Sequence, residues 1–588
     1  MKKLNFILIS FLMLLASCED VLDKEPLDRI PENSVWLDQN LTDAYLTDVY
    51  SNVVFKRLSA GNSGNHVGFG LISGMSDELT QFAPWQEPNI AIATPMNSQT
   101  LYEPLNYWKY DVIRKANIFI EEVGNSELDE DFKKKRIAEA RWIRAYLYFE
   151  MVKRWGGIPL ITGVQNLTDD PETIFIPRNT EQEIYDFVDA EMNAIFNDLP
   201  NKGDTEGGRV NKWAVKALQS RAMLFAASIA RFGTVQLDGI VGMPEASETT
   251  YWQKSYDASK ELIENSPLSL YEKFDDPVTN HHQLFIDEIE DNPEVIFTER
   301  YDAGSGLGQS HALLAVPAEF ATGWNSNFRV FLDIAEKFEF EDGTTGAIPR
   351  DQYAAQEWDM DELFNNRDPR FKAAFFYNGT DFWDRKAYFH ESSLVNGEVV
   401  TSGVLPDGMA AKVANRTFEA RPKPLRHGFL LRKFLDESTG SQLDDDQSSE
   451  DFHIFRLGET YLNMAEAAFY LGKTDEALTL VNRIRQRAGM PPKLVIDEET
   501  IRNERAVELV FEEHRFWDIR RWRIAVDVLN DKMMMGLKFV YNHDTGKFKI
   551  EVKNALSNPR VFLPENYYYP LTFDKISDNP KFVENPGY

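Results

Sequence analysis

Helical periodicity is confined to the two ends of this 588-residue chain, and that division restricts its folds to a helical scaffold with something different set into it. Apolar residues recur at helical spacing over about 38–57, 103–123, 130–155, 180–198, 211–231 and 251–265. They do so again over about 455–471, 474–488 and 499–530. Residues 266–450 hold no sustained period and are rich in Gly, Pro, Asn and isolated aromatics, the composition of loops and short strands. Short strands are expected at 294–301, 330–341 and 429–434. The expected fold class is mainly α.

The segment from Phe455 to Gly489 shows what kind of scaffold this is. Tyr461, Ala465, Ala468 and Phe469 fall on one stripe, and Gly472 suits the left-handed turn that closes such a helix. Thr474 is placed to cap the next helix, whose stripe is Ala477, Val481, Ile484 and Ala488 before Gly489, Pro491 and Pro492 end it. Two short antiparallel helices with small residues at their contact make a tetratricopeptide-type hairpin. A weak repeat agrees: Arg144-Ala145-Tyr146-Leu147 and Arg221-Ala222-Met223-Leu224 share a pattern, each in a helix that follows another.

The N-terminus reads as a targeting segment. Lys2 and Lys3 precede an apolar run from Leu4 to Leu15, then Ala16, Ser17 and Cys18, the layout of a secretory signal peptide over residues 1–17. Cys18 is the only cysteine, so no intramolecular disulfide can form and stability has to come from burial. L-A-S-C resembles the lipobox of bacterial lipoproteins, which implies cleavage before Cys18 and a lipid on its sulfur. Glu19 and Asp20 are similar to the acidic signal that sends Bacteroidetes lipoproteins to the outer face of the outer membrane. Without residues 1–17 the chain has 61 basic and 94 acidic residues, a net charge of −33. That balance repels phosphate backbones and argues against nucleic acid.

Signatures of catalysis fail one after another. Gly68-Phe69-Gly70 lacks the third glycine of a dinucleotide fingerprint, and His390-Glu391 has Leu394 where a zinc helix needs histidine. No phosphate loop, serine elbow or calcium loop is present; Asp444-Asp445-Asp446 reads as a solvated loop and His281-His282 as a surface pair. The stretch IRNERAVELVFEEHRFWDIRRW (Ile501–Trp522) is dense in Glu and Arg. With an arginine in helical reach of each carboxylate, it reads as a set of structural ion pairs rather than as an acid and base. No catalytic residue, metal ligand or cofactor is assigned.

RIAEARWIRAYLYFEMVKRWGGIPLIT (Arg136–Thr162), Gly207-Gly208-Arg209-Val210, Phe455–Met490, Glu504–Trp522 and the ending Asn585-Pro586-Gly587-Tyr588 occur in one order along the chain. Together they resemble the SusD/RagB family of Bacteroidetes surface lipoproteins. Two departures are noted: Glu513 stands where Gly is frequent and Glu584 where Gln is common. The resemblance implies a single domain over residues 18–588. Its helical scaffold takes up about 38–265 and 455–530, its irregular ligand-binding part about 266–450, and its C-terminal tail about 531–588. It also implies a non-catalytic protein that holds an oligo- or polysaccharide at the cell surface and delivers it to a SusC-like TonB-dependent transporter. Peptide binding, as in the RagB branch, and a surface glycoside hydrolase are the alternatives.

The resemblance brings no fixed binding motif, so candidates are aromatics in Gly- and Asn-rich loops with polar neighbours: Trp85 with Asp77, Tyr301, Trp324 with Asn325, and Trp383. A pyranose has one face that is largely C–H and stacks on such rings while amides and carboxylates bind its hydroxyls. Trp142, Trp155, Trp213 and Trp517 lie on helices and are expected in the core.

Overall fold

The computed structural model describes residues 32–53, 55, 72–81, 106–205, 207–320, 325–413, 427–438, 443, 444 and 446–588. The signal segment, Cys18, Trp85 and Trp324 lie outside the described residues.

Among the described residues nine helices carry the scaffold: α1 (Gln39–Asn52), α2 (Tyr110–Asn125), α3 (Glu130–Trp155), α4 (Glu181–Ile195), α5 (Lys212–Phe232), α6 (Glu248–Asn265), α7 (Leu457–Tyr470), α8 (Thr474–Arg487) and α9 (Glu498–Glu508). Their ends follow local chemistry. Asp129 accepts from the Phe132 N–H to start α3, and Gly156 at φ 74° ends it. Thr180 and Glu183 form a reciprocal capping box on α4. Asn211 caps α5 through the N–H groups of Trp213 and Ala214. Gly472 takes the left-handed conformation at φ 77° as expected, but α8 begins after Lys473 without a side-chain cap, so Thr474 lies inside the helix instead of capping it.

Each helix packs on the next from α1 through α8, including α6 on α7, which are nearly two hundred residues apart in sequence. Small residues bring α5, α6 and α7 close. Ser220 and Ser259 share a hydrogen bond of 2.7 Å, Ser255 donates to the Ser220 carbonyl, and Asn463 donates to the Ser220 hydroxyl. The repeated arginines also act alike, each binding a glutamate of another helix: Arg144 to Glu191 and Arg221 to Glu459. Trp142, Trp155, Trp213 and Trp517 are all buried.

Apart from β1, the described strands come from the middle and the C-terminal part. β1 (Leu79–Gln81), β3 (Phe328–Val330), β10 (Phe429–Leu431) and β5 (Phe375–Tyr377) form one sheet in the order β1-β3-β10-β5, with Gln81 opposite Phe328. β2 (Val295–Glu299) pairs with β11 (Phe452–Arg456), and β6 (Thr380–Phe382) with β7 (Arg385–Ala387). A five-stranded sheet runs β4 (Glu357–Trp358), β13 (Lys547–Asn554), β12 (Met535–Asn542), β8 (Ser392–Val395), β9 (Glu398–Val400). The strand expected at 330–341 stops at Val330, because residues 332–335 turn into a short helix. The helix expected over 499–530 is three helices, α9, α10 (Arg515–Arg521) and α11 (Ala525–Leu529), separated where Phe511, Glu513 and Arg523 have positive φ.

That break is held by side chains. Glu513, at φ 66° where a glycine would sit without strain, accepts the N–H groups of Ile72 and Ser73. Glu584, the other departure, accepts from the N–H groups of Leu571 and Asn585. Neither substitution is idle.

The Glu- and Arg-rich stretch is a buried ion network, though its partners come from distant parts of the chain more than from helical neighbours. Arg456 binds Glu512 at 2.6 Å and both Glu294 and Glu508 at 2.8 Å. Glu508 also holds Arg487 and, at 3.0 Å, Arg370, which reaches on to Glu504 and Asp368. Lys433 closes the group on Glu512 at 2.6 Å. Burial would raise the Glu508 carboxyl, but Arg487, Arg456 and Arg370 outweigh it and hold it well below its ordinary 4.5. His281, expected on the surface, is buried beside this network; burial pushes its pKa well below 6.5, so it is neutral there.

Replacing Glu508 with Gln keeps the shape and leaves three buried guanidiniums short of a charge. Glu508→Gln is expected to destabilise the fold by about 3–5 kcal/mol in urea unfolding. Glu264→Gln, at an exposed ion pair of 3.8 Å, is expected to stay within about 0.5 kcal/mol.

Candidate functional site

The four-stranded sheet brings the roots of two chain segments together. The chain departs β1 after Gln81 toward Trp85 and enters β3 at Phe328 from Trp324, and Gln81 and Phe328 are paired residues. Asn327 and Ser326 donate their N–H groups to the carbonyls of Leu314 and Val316, tying this root to the short helix His311–Ala315.

Two of the sequence candidates fall inside the protein. Asp77 is 5 % exposed, and Arg515 engages both of its carboxylate oxygens at 2.8 Å. Burial works against that charge, but Arg515 prevails and lowers the Asp77 carboxyl to about 2. It is an interior anchor for the segment 72–81 and not a surface contact. Asn325 is likewise buried, at 1 % exposure, where the chain enters the sheet. Their polar, loop-like sequence context concealed the burial.

Tyr301 is half-buried directly after β2, at the mouth of a tight loop closed by the Asp302–Leu307 bridge, and its N–H donates to Asp451. The segment 446–451 lies alongside, joined by the Gln309–Ser448 bridge and by Gln309 donating to Glu450. Burial raises Glu450 to about 7 and Asp451 to about 6. Beyond this loop Leu307 stands 69 % exposed.

Trp383 is the described candidate that offers a ring to solvent, with 43 % exposure. It occupies the first position of the two-residue turn between β6 and β7 at φ 55°, a conformation that a bulky residue adopts at a cost of roughly 1–2 kcal/mol. Its indole stacks on Phe382 at 4.7 Å, meets Phe320 edge-on at 5.9 Å, and donates from Nε1 to the Glu437 carbonyl at 3.0 Å. Phe320 is the last described residue before Trp324. Its chain neighbours Asp381, Asp384 and Arg385 are all exposed; Asp381 pairs with Lys386 at 3.1 Å, and Arg385 donates to the Glu319 carbonyl at 2.8 Å. Phe320, Arg385 and Glu437 gave no signal in the sequence, being separated from one another by fifty residues or more of chain.

Among the described residues no cluster of three metal-ligating side chains occurs and no helix is long and apolar enough to cross a membrane. The described structure is an α-helical array with an exposed aromatic at a hairpin turn. The chain belongs to the SusD family: the family model described as "SusD family" matches residues 293–588, and one described as "Starch-binding associating with outer membrane" matches residues 32–224. A SusD-like protein of Bacteroides ovatus is 24 % identical over 553 residues, covering 91 % of this chain and 84 % of that one. The starch-binding protein SusD of Bacteroides thetaiotaomicron is 22 % identical over 507 residues, 82 % of this chain and 77 % of that one. The crystal structure of a SusD-like protein from Bacteroides fragilis superposes with a TM-score of 0.72 at 25 % identity, covering 96 % of this chain and all of that one.

The raised carboxyl of Glu450 makes stability depend on pH. Its folded-state pKa lies above the unfolded value, so between about 4.5 and 7 the folded chain binds more protons and loses stability as pH rises. Glu450→Gln keeps the acceptor for Gln309 and is expected to lose less stability than the parent between pH 5 and pH 8. The difference, read from urea midpoints at the two pH values, is expected to reach up to roughly 3 kcal/mol.

Proposed function

We propose that this protein is a non-catalytic glycan-binding lipoprotein of the outer-membrane surface. In this reading it is held by a lipid on Cys18, captures an oligo- or polysaccharide at the Trp383 rim, and passes it to a SusC-like TonB-dependent transporter. The observation that carries the reading is Trp383 itself: an exposed indole kept at a strained turn, one face on Phe382, with Asp381, Asp384 and Arg385 beside it. Backbone strain of this kind is retained where a side chain is needed in one place. A sugar ring stacks its C–H face on the free side of the indole while the flanking carboxylates and guanidinium take its hydroxyls.

Membership of the SusD family supports this reading, and so do two of its relatives, one described as starch-binding and one as laminarin-binding. The pairing of Glu504, Glu508 and Glu512 with buried cations supports a structural role for these three, because a general acid needs surroundings that raise its pKa. Weak capture suffices when an anchor and a neighbouring transporter raise the local concentration.

Native affinity electrophoresis of the full chain in mild detergent, across neutral and acidic polysaccharides, tests this. One polysaccharide class is expected to retard it without release of reducing ends. Trp383→Gly, which removes the ring and relieves the left-handed backbone, is expected to weaken retardation about two- to tenfold with no fall in melting temperature. Release of reducing ends would overturn the non-catalytic reading, and retardation by no polysaccharide would point to peptides.

A further inference from the structure

A second groove opens on the scaffold, sharing no residue with the Trp383 rim. It lies between the start of α2, the stretch Pro159–Ile176 and the C-terminal helix α12 (Phe573–Asp578), with a volume of about 580 Å³. That is within the roughly 300–1,000 Å³ of clefts that hold small ligands. Its floor is aromatic. Trp108 is fixed by edge-on contacts with Trp155 at 5.1 Å and Phe582 at 6.1 Å, yet remains partly exposed to the groove. Lys575, almost fully buried, sits 5.5 Å over the same indole and donates to Asn106 Oδ1 and the Thr572 hydroxyl. This contact orients the Asn106 amide so that its Nδ2 remains a donor.

The edge of the groove carries three exposed carboxylates, Asp111, Asp574 and Asp578. Among the described residues none has a cation or a side-chain hydrogen-bond partner. Idle acceptors, an amide donor and a half-exposed indole around one cleft are the complement of a ring that is apolar on its face and hydroxylated at its edge. The carboxylates would repel uronates and sulfates.

We propose that this groove is a second saccharide site, taking one neutral sugar ring against Trp108 with its hydroxyls donating to Asp111 and Asp578. The proposal rests on the glycan-binding reading but not on the Trp383 rim. A long glycan would then be held at two separate points, and the two attachments would reinforce each other through effective concentration.

Hydrogen–deuterium exchange of the full chain in mild detergent, with maltoheptaose, laminariheptaose, xylohexaose and oligogalacturonate as probes, tests it. At least one neutral probe is expected to protect peptides covering 106–113 and 572–582. The double variant Asp111→Ala with Asp578→Ala changes exposed, unpaired groups and leaves the core alone. It is expected to weaken that protection about five- to thirtyfold in apparent affinity while protection at 380–388 persists. Protection at 380–388 alone would overturn the groove and leave the proposed function standing. Equal protection of the groove by oligogalacturonate would overturn the neutral-sugar assignment, and protection by no probe at either place would overturn both readings.

Discussion

Arg456 is the point on which the rest of the structure turns. From the end of β11 it reaches Glu294 before β2, Glu508 at the end of α9 and Glu512 in the break after it, so a single guanidinium joins the middle region to the C-terminal helices. Buried charges are expensive to desolvate, and such a site is stable only when every charge is matched. Matching fixes the relative position of four chain segments at once, and Arg370 and Arg487 repeat the arrangement from other directions. Hydrophobic burial makes this chain compact, while the ion network sets how the loop-bearing part is seated on the helices.

Position matters because the loops carry the candidate binding surfaces. A loop tip can hold Trp383 at a strained φ only if its base does not move, and the base here is a two-stranded ladder packed on Phe320 and tied through Arg385 to the Glu319 carbonyl. The groove beneath α2 follows the same logic with different parts, since Trp108 is held by Trp155 of α3 and by the buried Lys575. Preorganised aromatic rings lose little entropy when a ligand arrives.

Much of this was legible in the sequence, and what was not has physical reasons. α3 covers the residues its helical period indicates, because that depends on local spacing, and the Glu–Arg stretch is structural as expected although most of its partners are distant in the chain. Asp77 and His281 were misjudged because nothing local announces that Arg515, over four hundred residues away, or an interior ion network awaits them. The β12–β13 hairpin is different. Leu537, Phe539 and Tyr541 alternate, as do Phe548 and Ile550, so a period of two was present in a stretch taken as tail. Groove residues such as Trp108 and Asp578 were invisible as a site because the chain between them spans the whole scaffold.

The packing of α6 on α7 has a wider consequence. Those two helices flank the entire loop-rich middle, and their contact fixes its entry and exit points side by side, much as the two ends of a long insertion are held in a tolerant host. Lengthening or shortening what lies between them changes the closure entropy only slowly. The segment between them can therefore change in length while the helical platform keeps its form.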